Sequence, residues 1–329
     1  MKAKFDVLAL GELLMDMTNN GCSSTGNTLF EANPGGAPCN VLSMLRKLGH
    51  PVSFMGKVGD DLFGHKLAQV LRELDIDTQN LVIDSGARTT LAFVQTFPDG
   101  DRDFSFYRNP GADMLLTREE VDVSLLRSAR IFHFGTLSMT HEGVREATLF
   151  AAGEAKKAGA LISFDPNLRP PLWEDLEDAR EQFGRGMELC DILKISDNEI
   201  QWFTGEQDYT AGVQYIRERY EIPFITVSMG KEGSRVYYKT PDTPAEGLMV
   251  EAAPFLQAAT RETTGAGDTF GGCILHGILE KGLYGLKEAD LREMLTFANA
   301  AASIVTTRKG ALRVMPSLAE IQELLASRK

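Results

Sequence analysis

At 329 residues the chain has room for one large α/β domain or two ordinary ones, and a hydrophobic fraction of 43% suffices for a sizeable core. A formal net charge of −12, with Lys and Arg scattered rather than blocked, offers no basic footprint for nucleic acid or an anionic membrane and points to a small-molecule partner. The four cysteines, Cys22, Cys39, Cys190 and Cys273, stand far apart without C-x-x-C spacing, which sets aside zinc and dithiol motifs and reads as reduced thiols of a cytoplasmic protein.

The opening MKAKFDVLALGELLMDM starts basic, but Asp6, Glu12 and Asp16 break the apolar run that a signal segment needs, and no stretch has the length of a membrane span. FDVLAL (5–10) and LFEAN (29–33) read as strands, followed by a helix in PCNVLSMLRKLG (38–49). VSFMGKV (52–58) is a strand and 60–75 a helix with apolar residues at three- and four-residue steps. The stretch TTLAFVQTFPDGDRDFSFYR (89–108) breaks the alternation, being two strands around the turn PDGD. Such a hairpin either forms a small β lid, with LFEAN beside it, or an antiparallel edge of the main sheet. Then come ARIFHFG (129–135), a helix over 141–159, ALISFD (160–165), a helix over 175–190, DILKIS (191–196) and FITVS (224–228). SRVYYK (234–239) and GLMVEA (247–252) read as antiparallel edge strands, and 266–281 and 287–306 as long helices. Strands alternating with helices mean βαβ units and a largely parallel sheet. With no internal repeat and no low-complexity linker, 1–329 reads as a single domain.

TTGAGDTFGG (263–272) sets small residues and one acid, Asp268, at the start of a helix whose apolar positions include Phe270, Cys273, Ile274 and Ile278. Unpaired amides and the helix dipole meet there, and Gly265, Ala266 and Gly267 let an anion come close. An acid beside a phosphate is useful as the base that takes a proton from an attacking hydroxyl, which points to phosphoryl transfer to an alcohol. The other reading is a helix cap after a glycine turn. No G-x-x-x-x-G-K-[ST] is present, and GELLMDM replaces the glycine fingerprint that a dinucleotide fold carries after its first strand. The five histidines show no H-x-x-x-H or other clustered spacing of the kind catalytic zinc uses, and Cys39 reads as a small buried thiol.

TTGAGDTFGG resembles the C-terminal signature of the ribokinase, or PfkB, family of carbohydrate kinases. NPGGAPCNVLSMLRKLG (33–49) with GKVGDDLFG (56–64) is similar to that family's N-terminal signature. LALGELLMDM (8–17), FYRNPGADMLL (106–116), FDPNLRPPLW (164–173) and FANAAAS (297–303) are most similar to bacterial fructokinases within the family, so the resemblance spans essentially the whole chain. It implies a ribokinase-like fold: a doubly wound, mostly parallel sheet flanked by helices, with a lid from about 14–34 and 89–110 over the sugar site. It also implies ATP-dependent phosphorylation of a sugar, D-fructose to D-fructose 6-phosphate, and a possible homodimer through the lid. A 2-keto-3-deoxygluconate kinase or a riboside kinase is the alternative within the family. A non-catalytic sugar- or nucleotide-binding regulator is the alternative outside it, and the intact GAGD (265–268) speaks against that.

By the same resemblance Asp268 is the catalytic base and Gly265, Ala266 and Gly267 the anion hole. Asp16, Gly35, Gly36 and Asn40 stand at sugar-binding positions, and Arg108 and Arg169 line the substrate or phosphate region, with Asp165 and Asn167 positioning Arg169 or the metal. ITVSMGKEGS (225–234) supplies the nucleotide contacts Ser228, Gly230 and Gly233; Asn299 stands near the adenine and Lys194 near a phosphate. Mg2+ is held by phosphates and water, with Glu199 of SDNEI acting through water and Ser196 standing where the family often has Asn. Glu262 replaces the usual Asp of a loop that helps hold a monovalent cation, so K+ is possible but no firm K+ requirement is expected.

Overall fold

β1 (Phe5–Leu10) is an almost unbroken apolar run because both of its faces are covered. Val7 and Ala9 enter one hydrophobic layer and Leu8 and Leu10 the other, as the two-residue period of a strand requires, while Phe5 at the strand's first position joins the second layer. The computed structural model describes residues 3–96 and 102–327. β1 pairs in parallel with β4 (Val52–Gly59) on one side and β8 (Ala129–Gly135) on the other. β5 (Asp77–Asp84) extends the β4 side in parallel. Beyond β8 follow β9 (Leu161–Asp165), β10 (Ile192–Ser196) and β11 (Phe224–Ser228), all parallel, then the antiparallel β12 (Ser234–Tyr238) and β13 (Leu248–Ala252). The sheet therefore runs β13-β12-β11-β10-β9-β8-β1-β4-β5. The expected doubly wound order and antiparallel edge are both present.

One face is covered by α1 (Ala37–Lys47), α2 (Leu62–Glu73), α8 (Ala266–Lys281), α9 (Glu288–Val305) and α10 (Leu318–Ala326), which contribute Leu42, Leu67, Ile274, Leu295 and Ile321 to its core. The short α3 (Val123–Leu126) with α4 (Glu142–Lys157), α5 (Leu176–Leu189), α6 (Asp197–Thr204) and α7 (Tyr209–Arg217) covers the other, around Phe132, Phe134, Phe164 and Phe183. No helix among the described residues is long and apolar enough to cross a membrane. All four cysteines are free, Cys39, Cys190 and Cys273 being buried.

The hairpin at 89–108 belongs to a separate sheet, as the lid reading has it. β2 (Leu14–Cys22) pairs antiparallel with β3 (Thr28–Gly35) and parallel with β6 (Leu91–Thr96), which pairs antiparallel with β7 (Arg102–Tyr107). The turn expected at PDGD lies outside the described residues. β2 directly continues the chain after β1, so this second sheet stands over the carboxyl ends of the main strands.

Candidate active site

Strand order reverses at β1, and the crevice beyond the carboxyl ends of parallel strands at such a reversal is where α/β folds bind ligands. Here it is a small polar pocket of about 250 Å³. Glu12 and Leu14 enter from the β1–β2 connection and the start of β2, Asp16 from β2, and Asn40 from α1. Asn167 and Arg169 follow β9, Lys194 lies on β10, and Gly265, Gly267 and Asp268 form the start of α8.

α8 begins at Gly265, whose left-handed backbone (φ 77°) turns the chain into the helix with no side-chain cap. The Ala266 amide donates to the Thr263 carbonyl over 3.2 Å, whereas those of Gly265 and Gly267 have no protein acceptor among the described residues. These two, rather than the expected trio, are free for an anion. Lys194 Nζ lies 3.2 Å from where a Cβ on Gly267 would stand, so the ammonium and the bare amides converge.

Asn40 donates from Nδ2 to Asp268 Oδ2 over 2.7 Å, while its own Oδ1 is buried without a partner among the described residues. Such an acceptor calls for a hydroxyl donor in the pocket. Burial pushes the Asp268 carboxyl above the ordinary range, opposed by the Asn40 bond and by the charges of Lys194 and Arg169. Burial likewise raises Asp16 to about 7, with Glu262 adding to the shift and Arg169 opposing it. Glu12 rises to about 7 by burial, although its Oε1 accepts the Ala37 amide at the head of α1 over 2.7 Å. Asp165 also reaches about 7 through burial, against the attraction of Lys194, whose ammonium sits 3.0 Å from its Oδ2. The acids surrounding Lys194 hold the lysine above its ordinary value despite burial.

A second cavity of about 560 Å³ adjoins the first, sharing Thr263 and Gly267 with it. Ser228, Gly230, Gly233, Ala266 and Asn299 line it, with Phe255 and Leu256 as an apolar wall that the sequence reading did not assign. Asn299 donates to the carbonyls of Ala252 and Ala253 at 3.2 and 3.1 Å and so fastens α9 to the exit of β13. A polar pocket and a longer, partly apolar groove thus meet at the start of α8.

Three of the expected site residues stand outside both cavities. Arg108 is not in the pocket: its buried guanidinium donates to Asp113 at 2.7 Å, Thr140 Oγ1 at 2.8 Å and the Leu137 carbonyl at 3.0 Å, leaving Arg169 as the pocket's guanidinium. Arg169 donates only to the carbonyls of Asn167 and Leu168 among the described residues. Glu199 lines neither cavity. Its Oε1 accepts the Leu168 amide at 2.7 Å and its Oε2 accepts from Ser196 within a capping box, so it anchors the loop that carries Arg169. Gly35 is also outside the lining, but a Cβ there would collide with the Asp16 carboxylate, which lies across its backbone. The sequence reading missed Glu12, Phe106 and Leu137; an acid between the apolar runs of LALGELLM was the one signal for Glu12.

Known proteins resemble this chain over nearly its whole length. Fructokinase-1 of Zea mays is 40% identical over 321 residues, covering 97% of this chain and 97% of its own. The structure of a fructokinase with bound ATP from Xylella fastidiosa superposes with a TM-score of 0.87 at 30% identity, over 98% of both chains. A Vibrio cholerae O395 fructokinase with fructose, ADP and calcium bound gives 0.86 at 28% identity, over 98% of this chain and 99% of its own. The sequence pattern of the pfkB family carbohydrate kinases matches residues 4–318, which takes in both sheets and every residue around Asp268. With a buried acid at an uncapped helix start between two cavities, and that match along its length, the chain belongs to the pfkB family of carbohydrate kinases.

Proposed function

We propose that the protein transfers the γ-phosphoryl group of ATP to the 6-hydroxyl of D-fructose, as a cytoplasmic fructokinase. The observation that carries this reading is the position of Asp268, held by Asn40 in the small polar pocket beside the bare amides of Gly265 and Gly267, where the larger groove opens. The small pocket takes the sugar and the groove the nucleotide. Asn40 Oδ1 and the Asp16 carboxylate accept sugar hydroxyls. Asp268 removes the proton from the attacking hydroxyl, whose oxygen forms the new bond to the γ-phosphorus as the bond to ADP breaks. Its raised pKa makes it a stronger base than an exposed carboxylate. The free amides, Lys194 and Arg169 stabilise the charge that spreads over the transferring oxygens.

For Mg2+ the donor set fits a hydrated ion better than a caged one. Both oxygens of Glu199 accept protein donors, and the Asp165 carboxylate faces Lys194 with both oxygens within 3.2 Å of Nζ. Neither carboxylate lines either cavity, so the ion would be carried by the ATP phosphates and water, and when bound it would supply charge neutralisation on the phosphates. Glu262 accepts one hydrogen bond on each oxygen, from Thr264 Oγ1 at 2.6 Å and from the Gly310 amide at 3.1 Å, which ties its loop to the 310 turn.

The test is ADP release with MgATP across a sugar panel, with and without K+, comparing the wild type with Asp268→Ala. Fructose-dependent turnover that falls at least about 1,000-fold in the variant is expected. Arg169, the pocket's guanidinium without an acidic partner, favours one second reading, a kinase for a carboxylated keto-sugar. Turnover confined to such a sugar would establish it, and no sugar-dependent turnover at all would end both.

A further inference from the structure

At the other end of α8, two histidines separated by 226 positions meet: His50 Nε2 and His276 Nδ1 are 2.8 Å apart. His50 lies in the connection between α1 and β4, and His276 on α8 is followed four residues later, on the same helix face, by Glu280. A ligating atom from each of the three lies within 4.8 Å of the other two. Behind them, Asp6 Oδ2 stands 2.8 Å from His50 Nδ1, and Asp6 Oδ1 accepts from Arg130 over 3.0 Å. A carboxylate in that position keeps the His50 proton on Nδ1 and turns the Nε2 lone pair toward His276 and Glu280. Glu280 is exposed and makes no hydrogen bond or ion pair among the described residues. His276 and Glu280 also line a broad groove of about 1330 Å³ beside α9 and α10, which gives a dissolved ion a path to them.

We infer that His50, His276 and Glu280 bind a divalent transition-metal ion of the zinc type, with Asp6 supporting His50 and a water completing the tetrahedron toward the groove. Two imidazoles and one carboxylate are a ligand set that zinc takes in open, four-coordinate sites, and imidazole nitrogen selects it over magnesium. Binding asks His276 to carry its proton on Nε2 and the two nitrogens to part by roughly half an ångström, since zinc–nitrogen bonds are about 2.0–2.1 Å. The ion would fasten α8 to the α1–β4 connection from the side opposite Asp268, and it is independent of the sugar-kinase reading.

The experiment is a calorimetric Zn2+ titration of the full-length protein without sugar or nucleotide, with Co2+ absorption to report geometry and Tm to report linkage. The wild type should bind one Zn2+, give the intense visible bands of tetrahedral Co2+, and gain in Tm. His276→Ala should lose all three. The surface variant Glu280→Gln and the supporting variant Asp6→Asn should weaken binding about 10- to 100-fold, and Asp268→Ala should bind as the wild type does. Absence of micromolar binding, retention of the site in His276→Ala, or its loss in Asp268→Ala would each overturn the assignment, the last by placing the ion at the phosphoryl site.

Discussion

Asn40 tunes Asp268 through one hydrogen bond. The 2.7 Å contact to Oδ2 joins Lys194 and Arg169 in opposing the burial that pushes the carboxyl up, so removing it lets burial prevail. Asn40→Ala should therefore move the acid limb of the kcat/KM–pH profile to higher pH and lower the plateau by about 10- to 100-fold, measured as sugar-dependent ADP release from pH 5.5 to 8.5. A lowered plateau with an unmoved limb would reduce Asn40 to a sugar contact. Asp268 and Asn40 were legible in the sequence because each sits in a run whose residue types make chemical sense together. Arg108 stands apart from the pocket, which was not legible because a sequence shows a cation but not its direction. Its partner, Asp113, stands five residues on in the same motif and takes the guanidinium away from the pocket. Glu12 was passed over for the converse reason, since an isolated acid between apolar runs looks like an interruption until the fold buries it.

At the scale of elements, the Asn40–Asp268 bond exists because α1 and α8 approach closely. Gly272, one turn beyond Asp268, makes that approach possible: a Cβ there would stand 3.0 Å from Met44 Cβ and 3.1 Å from the Val41 carbonyl of α1. Gly272→Val must push the helices apart. It should cost about 1–3 kcal/mol in denaturant unfolding, as overpacked cores do, and depress kcat more than the loss of stability explains by drawing Asn40 away from Asp268. An unchanged kcat in the folded variant would show that the pair tolerates the displacement. Long helices such as α4, α5, α8 and α9 were readable from period alone. The eight- and nine-residue α6, α7 and α10 give too few turns for a period to emerge, although Ser317 and Glu320 form a capping box at the head of α10. β2 and β5 were not read as strands because their polar stretches, MTNNGC and DTQN, lie at edges or in the small sheet, where the apolar signature fades.

In the whole molecule the two sheets close over acids that their own packing keeps from water. The alternation of strands and helices disclosed the parallel sheet, but a hairpin pattern reads the same in a lid as on a sheet edge, so only the three-dimensional pairing of β2 with β6 separates the two. That enclosure has a thermodynamic signature. Glu12, Asp16 and Asp165, each raised to about 7, stay protonated in the folded state over an interval where the unfolded chain ionises them from about 4 upward. The folded state then holds more protons, and the stability these groups contribute is lost as pH rises through 7. His133, held at about 3 by burial and by the charge of Lys194, acts the other way, but its contribution is lost only as pH falls below about 6.5. The carboxyls of Asp6 and Asp61, held low by His50 and Arg130 in the first case and by bonds from Thr89 and Gly64 in the second, lose theirs only below about pH 4. Between pH 8.5 and 6.5 the raised acids act unopposed by these groups. Ligand-free protein should gain on the order of 1 kcal/mol per raised acid over that span, a Tm increase of a few degrees by calorimetry. Asp16→Asn should remove about a third of the slope and be the more stable protein at pH 8.5. A flat wild-type profile, or a variant with the wild-type slope, would mean that Asp16 is already ionised in the fold. On the proposed reading turnover should fall as pH drops through the raised pKa of Asp268, because the base must be ionised to accept the proton of the sugar hydroxyl. The same burial that raises Asp268 thus raises the acids whose ionisation weakens the ligand-free fold.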